Sequence, residues 1–184
     1  MKRVGLFIWV VFVAVASALQ VRGANLEVEV TDMATISSGD ITRFLLRFDL
    51  PSELEGSTID YAELRFRAQP DSGSEEPLDI AGYRLTTQWD MGSVNWDYPW
   101  ANPGGDYSDS TLTVSTISGE ENQRVSLDLT GMLSAWAKGR PNYGLILKSL
   151  IEKGRNLTVV EDPEFPPGVK AKVEVYYTAQ EVSK

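Results

Sequence analysis

The sequence predicts an all-β chain, a jelly-roll-like antiparallel β-sandwich with one short helix capping an end. Three observations carry that expectation. About nine short stretches alternate apolar and polar residues, the period of a half-buried strand. Clusters of Gly, Pro, Asn, Asp and Ser interrupt them roughly every 8–12 residues, the rhythm of a sandwich. Only the stretch after residue 129 follows helical spacing instead.

Taken in order, residues 25–30 alternate, with Leu26, Val28 and Val30 inward. Residues 32–40 read as a polar loop, because they run into Ser37-Ser38-Gly39-Asp40. In residues 41–50, Phe44, Leu46, Phe48 and Leu50 share one face, and Arg43, Leu45, Arg47 and Asp49 the other. After a turn at 51–56, residues 59–68 place Leu64, Phe66 and Ala68 inward against Arg65 and Arg67. The acidic, Ser/Gly-rich stretch 70–77 reads as solvated, and 78–86 as a strand. Residues 89–103 break the pattern. Trp89, Trp96, Tyr98 and Trp100 lie among Pro99, Pro103, Gly104 and Gly105, which predicts a long aromatic loop with Asp106, Tyr107 and Asp109 just beyond it. Leu112, Val114 and Ile117 mark a further strand. Residues 157–160 and 169–177 are strands around a Pro-rich turn, with Val173, Val175 and Tyr177 alternating with Lys172, Glu174 and Tyr176. No repeat and no interdomain linker divides residues 25–184, which are expected to form one domain.

The unit at 126–149 organises the chain. Val125, Leu127 and Leu129 alternate as a strand, and the Thr130 hydroxyl is placed to cap a helix. Leu129, Met132, Leu133 and Trp136 form one apolar stripe. Gly139 suits the left-handed position past the helix end, and Pro141 prevents the helix from resuming. The apolar run Leu145-Ile146-Leu147 predicts a strand covered on both faces.

Residues 1–24 read as a secretory signal peptide. Lys2 and Arg3 precede an apolar run of about 15 residues, short of the ~20 that span a bilayer, and small residues follow for cleavage. The expected location is secreted, extracellular or cell-surface, with no membrane segment after cleavage. The chain has 26 acidic and 17 basic residues, and cleavage removes Lys2, Arg3 and Arg22 but no acid. Such a surface argues against nucleic acid and anionic membrane as partners. With no Cys and no His, disulfides, thiol catalysis, Cys/His zinc sites and Ser-His-Asp triads are excluded.

Four motifs carry a resemblance. Arg43-Phe44-Leu45-Leu46-Arg47-Phe48-Asp49 resembles the Arg-x-Leu-Leu-Lys/Arg-Phe-Asp opening of the DNRLRE domain, a carbohydrate-binding module family related to disaggregatase. Ile59, Ala62, Glu63, Leu64 and Arg65 resemble its next strand. Trp89-Asp90, Val94-Asn95-Trp96 and Pro99 resemble its Trp-x-Glu-x-x-Val-Thr-Trp signature, with Asp90 for Glu and Asn95 for Thr. Gly139, Pro141-Asn142, Gly144-Leu145 and Leu147-Lys148 match its C-terminal half. The resemblance implies a β-sandwich with an extracellular, polysaccharide-associated role.

Four kinds of candidate chemistry follow. Sugar rings stack on exposed aromatic planes, so Trp100, Tyr98 and Tyr107 are candidate ligand contacts. For Trp100 and Tyr107, core and site readings stand even, whereas Trp89, Trp96 and Trp136 are expected to be structural. Arg43, Arg47, Arg65 and Arg67 share the non-core phase of their strands. They would either grip uronates bidentately or pair across strands with Asp49, Glu63 or Glu174. Asp106 and Asp109 offer oxygens for a structural calcium, or are simply solvated. Carboxylate pairs for a polysaccharide lyase or glycosidase cannot be singled out among so many acids. The expected function is a non-catalytic polysaccharide-binding domain, for a polymer of neutral or uronate-rich type. The alternative is a structural subunit of the cell surface or matrix that self-associates through the strand at 25–30.

Overall fold

In each strand the apolar phase points one way, and two antiparallel sheets close over the pooled apolar faces. The computed structural model describes residues 23–70, 76–152 and 155–179. The signal-peptide reading of residues 1–24 therefore lies outside the described residues except at Gly23 and Ala24, which belong to the first strand. The elements are β1 (Gly23–Glu29), β2 (Asp32–Ser38), β3 (Ile41–Arg47), β4 (Thr58–Pro70), β5 (Leu78–Leu85), β6 (Tyr107–Ile117), β7 (Gln123–Asp128), α1 (Thr130–Ala137), β8 (Leu145–Ser149), β9 (Leu157–Val160) and β10 (Ala171–Thr178). One sheet runs β1-β10-β4-β7, with β9 continuing along β4 beyond β10. The other runs β2-β3-β8-β5-β6. The result is an all-β antiparallel sandwich with one short helix.

The main core lies between the sheets. Phe44, Leu46, Leu145 and Leu147 from one sheet meet Leu64, Phe66, Val173 and Val175 from the other, all buried. Each such side chain contributes on the order of 1.5–3 kcal/mol by leaving water. Helix α1 inserts Met132, Leu133 and Trp136 into the same core, and Trp136 meets Phe48 edge-on at 5.7 Å.

A second core forms on the outer side of the second sheet. Leu45 and Ile146 point away from the sandwich and join Ile36, Ala81 and Tyr83 under Trp89 and Trp100. The aromatic segment between β5 and β6 therefore roofs the sheet. This double cover is what the apolar run Leu145-Ile146-Leu147 predicted.

Two local expectations are corrected. Residues 32–38 form a strand, β2, rather than a loop; Ile36 is buried, and the Gly39-Asp40 turn closes a hairpin onto β3 in which Gly39 takes φ +58°. Thr130 is the first helical residue and not the cap. Its hydroxyl accepts the Ala62 backbone N–H at 3.0 Å, which ties α1 to β4, while the Asp128 carboxylate accepts the Thr130 N–H. Tyr107, expected just beyond the aromatic loop, opens β6 opposite Leu85. The strand expected at 25–30 is β1, which lies antiparallel to β10 from Gly23 opposite Thr178 to Glu29 opposite Lys172 and forms an edge of its sheet.

Candidate functional site

The aromatic segment is built from the inside out. Its Trp89 and Trp100 rings are buried, and their indole N–H groups donate to the Tyr143 and Asn95 carbonyls at 2.9 and 2.8 Å. With 7% of its surface exposed, Trp100 has no open face for a sugar, so the expectation of a stacking plane there is corrected. Trp89 and Trp136 are structural, and Trp96 is half-buried under the Arg43 guanidinium, 4.8 Å from its ring centre. Tyr98 is 57% exposed. Tyr107 is half-buried, with its ring 4.7 Å from that of Tyr83.

Arg43 fastens the roof to the sheet. Its guanidinium is bidentate to Glu152, at 2.6 and 2.9 Å, and donates to the Gly104 carbonyl at 2.5 Å. Arg47 does the same four residues further along β3, donating to Asp32 and to the Trp89 carbonyl and lying over the Trp89 ring. The Glu152 carboxyl is pushed up by burial. Its hydrogen bonds and charge contacts with Arg43 and Lys148 outweigh this and hold it below its ordinary value.

Beside this fastening opens a polar cleft lined by Arg43, Thr86, Thr87, Asn102, Asp106, Tyr107 and Asp109. The fold thus gathers four of the sequence candidates, Arg43, Asp106, Tyr107 and Asp109, in one place. Asp106 is the hub of the loop. Its carboxylate accepts the backbone N–H groups of Ala101 and Asn102, the Thr87 hydroxyl and the Asn102 amide, between 2.7 and 3.2 Å. Its acceptor positions face donors, which does not fit a calcium ligand. Among the described residues no group of three or more acidic side chains is arranged to hold a metal. Asp109 is exposed and remains available to a ligand.

Burial raises the Asp106 carboxyl, but those four donors outweigh it and leave it below its ordinary value. A carboxyl depressed on folding contributes stability that is present above its unfolded value and lost as pH falls through the folded one. We expect the roof to loosen on acidification below about pH 4, the ordinary carboxylate range. Tryptophan emission should report it. Asp106→Asn should loosen the roof already at neutral pH and flatten the acid transition; an acid profile identical to wild type would contradict the role given to Asp106.

The four arginines do not form one row. β3 and β4 belong to different sheets, so Arg43 and Arg47 lie on one side of the sandwich and Arg65 and Arg67 on the other. Each is already held by carboxylates. Arg65 contacts Glu27 at 2.8 Å and Glu174 at 3.2 Å, and Arg67 contacts Asp162 at 3.1 Å. The pairing alternative describes Arg65, which meets Glu63 and Glu174; Arg43, Arg47 and Arg67 pair instead with Glu152, Asp32 and Asp162, outside the expected set of partners.

Sequence reasoning passed over Glu152, Tyr61 and Tyr176. Glu152 carried no signal beyond its i,i+4 spacing from Lys148. Tyr61 and Tyr176 were legible as outward phases of their strands, but nothing said that the two strands are neighbours. They stand opposite each other on β4 and β10, 43% and 41% exposed, with ring centres 6.2 Å apart. No protein-family model matches this chain, and no curated protein matches it significantly.

Proposed function

We propose that the chain is a secreted, non-catalytic polysaccharide-binding domain whose ligand contacts begin in the cleft beside the aromatic roof. The observation that supports this reading most is the cleft itself. It is open, polar and held by Arg43 and Asp106, with Asn102, Asp109 and Thr86 hydrogen-bonding groups along its wall and the Tyr107 ring at its side. Such a wall suits the hydroxyls of a sugar, with the ring for its C–H face. The resemblance to DNRLRE domains points the same way and rests on its four motifs. Because Arg43 is occupied by Glu152, recognition is assigned to hydroxyls rather than to a carboxylate of the polymer.

The reading is tested on native gels of the mature protein cast with hydroxyethyl cellulose, arabinoxylan, alginate or pectate. At least one polymer class should retard the wild type, and Asp109→Ala should reduce the retardation several-fold without changing the thermal midpoint. No retardation by any polymer would overturn the reading. New reducing ends or unsaturated products in the same mixtures would make it an enzyme instead.

A further inference from the structure

Among the described residues, the outer face of the sheet β1-β10-β4-β7 is covered toward Arg65, Arg67, Lys172 and Arg124, where the turn at 162–165 lies against it, and open toward Tyr61 and Tyr176. Three cross-strand rows lie on it. Asn25, Tyr176 and Tyr61 form the first, Glu27, Glu174, Glu63 and Asp128 the second, and Glu29, Lys172, Arg65 and Ser126 the third. The second row sets four acids directly opposite one another, an arrangement that costs stability. Arg65 and Lys172 relieve it, with Lys172 3.0 Å from Glu27.

The first row leaves two large rings in water, side by side, on an otherwise polar face. Both are fixed by their hydroxyls: Tyr61 donates to Glu63 and Tyr176 to Glu174, each at 2.7 Å. The Glu63 hydrogen bond pushes the Tyr61 hydroxyl up to about 12, so it stays a donor at any physiological pH. A register shift between Tyr176 and Tyr177 sits at the same spot and sets the aim of the pair. Rings held in place before a ligand arrives lose little freedom on binding.

Resting on the polysaccharide reading, we propose that this tyrosine face is a second binding surface, and that its ligand is an uncharged, hydroxyl-rich polysaccharide chain. The rings take the C–H faces of the sugars, and the carboxylates around them accept sugar hydroxyls. Charge selects the ligand. Arg65 and Lys172 are engaged in ion pairs, as is Arg124 with Glu164, so a uronate polymer would meet the row of four acids beside cations already held by carboxylates. A second copy of the chain would bring the same acids against themselves. A basic protein partner would have to displace Arg65 and Lys172 from their carboxylates.

The experiment titrates the mature protein with hydroxyethyl cellulose, arabinoxylan and alginate, and compares Tyr61→Ala, Tyr176→Ala, Tyr61→Phe and Asp109→Ala by affinity electrophoresis. Thermal midpoints monitor the fold, and both tyrosines are exposed enough for the variants to keep it. We expect each alanine variant to lose about tenfold in affinity for a neutral polymer, the phenylalanine variant to retain most of it, and alginate to bind weakly or not at all. Neutral-polymer affinity unchanged in both alanine variants overturns this face; if Asp109→Ala lowers it, the cleft and the function stand. Preference for alginate also overturns the face. Binding of no polymer overturns the function and this surface together.

Discussion

Gly144→Ala should destabilise the fold severely. Gly144 has φ +81°, in the left-handed region, where a side chain is strained by on the order of 1–3 kcal/mol. The larger effect is contact. An added Cβ would overlap the Leu46 carbonyl oxygen and lie 3.0 Å from the Leu46 carbonyl carbon and 3.2 Å from the Arg47 Cα. The backbone cannot step aside. The Gly144 carbonyl accepts the Leu85 N–H, its own N–H donates to Asn142, and the Asn142 amide donates to the Phe48 carbonyl, all at 2.9 Å. Together these should cost more than about 4 kcal/mol, a large part of what a domain of this size holds in reserve. Gly139 is the control. It has φ +87° but nothing within 4 Å of an added Cβ, so Gly139→Ala should cost only about 1–2 kcal/mol. Urea unfolding of both variants measures the difference, and equal costs would contradict this account of the turn.

Trp136→Ala should be the next largest loss, about 3–5 kcal/mol. An eight-residue helix has no stability of its own, so α1 exists because Met132, Leu133 and Trp136 are buried. Trp136 fills the end of the core against Phe48. Its indole N–H has no hydrogen-bond partner among the described residues, so the ring contributes through volume alone. Trp136→Phe keeps much of that volume and removes the unpartnered donor, and should cost less than about 1.5 kcal/mol. If phenylalanine and alanine destabilise alike in urea, the packing role is wrong.

Much of this architecture was legible because periodicity reports burial directly. Leu64, Phe66 and Ala68 alternate with Arg65 and Arg67, and the strand follows. Helix α1, the left-handed Gly139 and the doubly covered β8 were readable from local chemistry for the same reason. Strand β2 was not, because an edge strand needs only one buried anchor, Ile36, and its serines look like a loop. The candidate site was harder to read, since it depends on which strands become neighbours. Arg43 and Arg65 share a phase in the sequence yet lie on opposite faces, and Tyr61 and Tyr176 are separated along the chain yet adjacent. Trp100 illustrates a different limit. A tryptophan in a Gly/Pro-rich loop looks exposed until the loop folds back and makes it a core residue. Asp106 beside it looked like a cation ligand, but its neighbours turned out to be donors.

The central claim is that this sandwich binds polysaccharide at its own surface. The most direct measurement is an amide chemical-shift titration of the mature protein with a soluble neutral oligosaccharide. Saturable shifts should gather at residues 101–109 of the cleft and around Tyr61 and Tyr176, with the buried strands unmoved. A spectrum that stays unchanged for neutral and uronate oligosaccharides alike, or shifts confined to surfaces away from both, would contradict it.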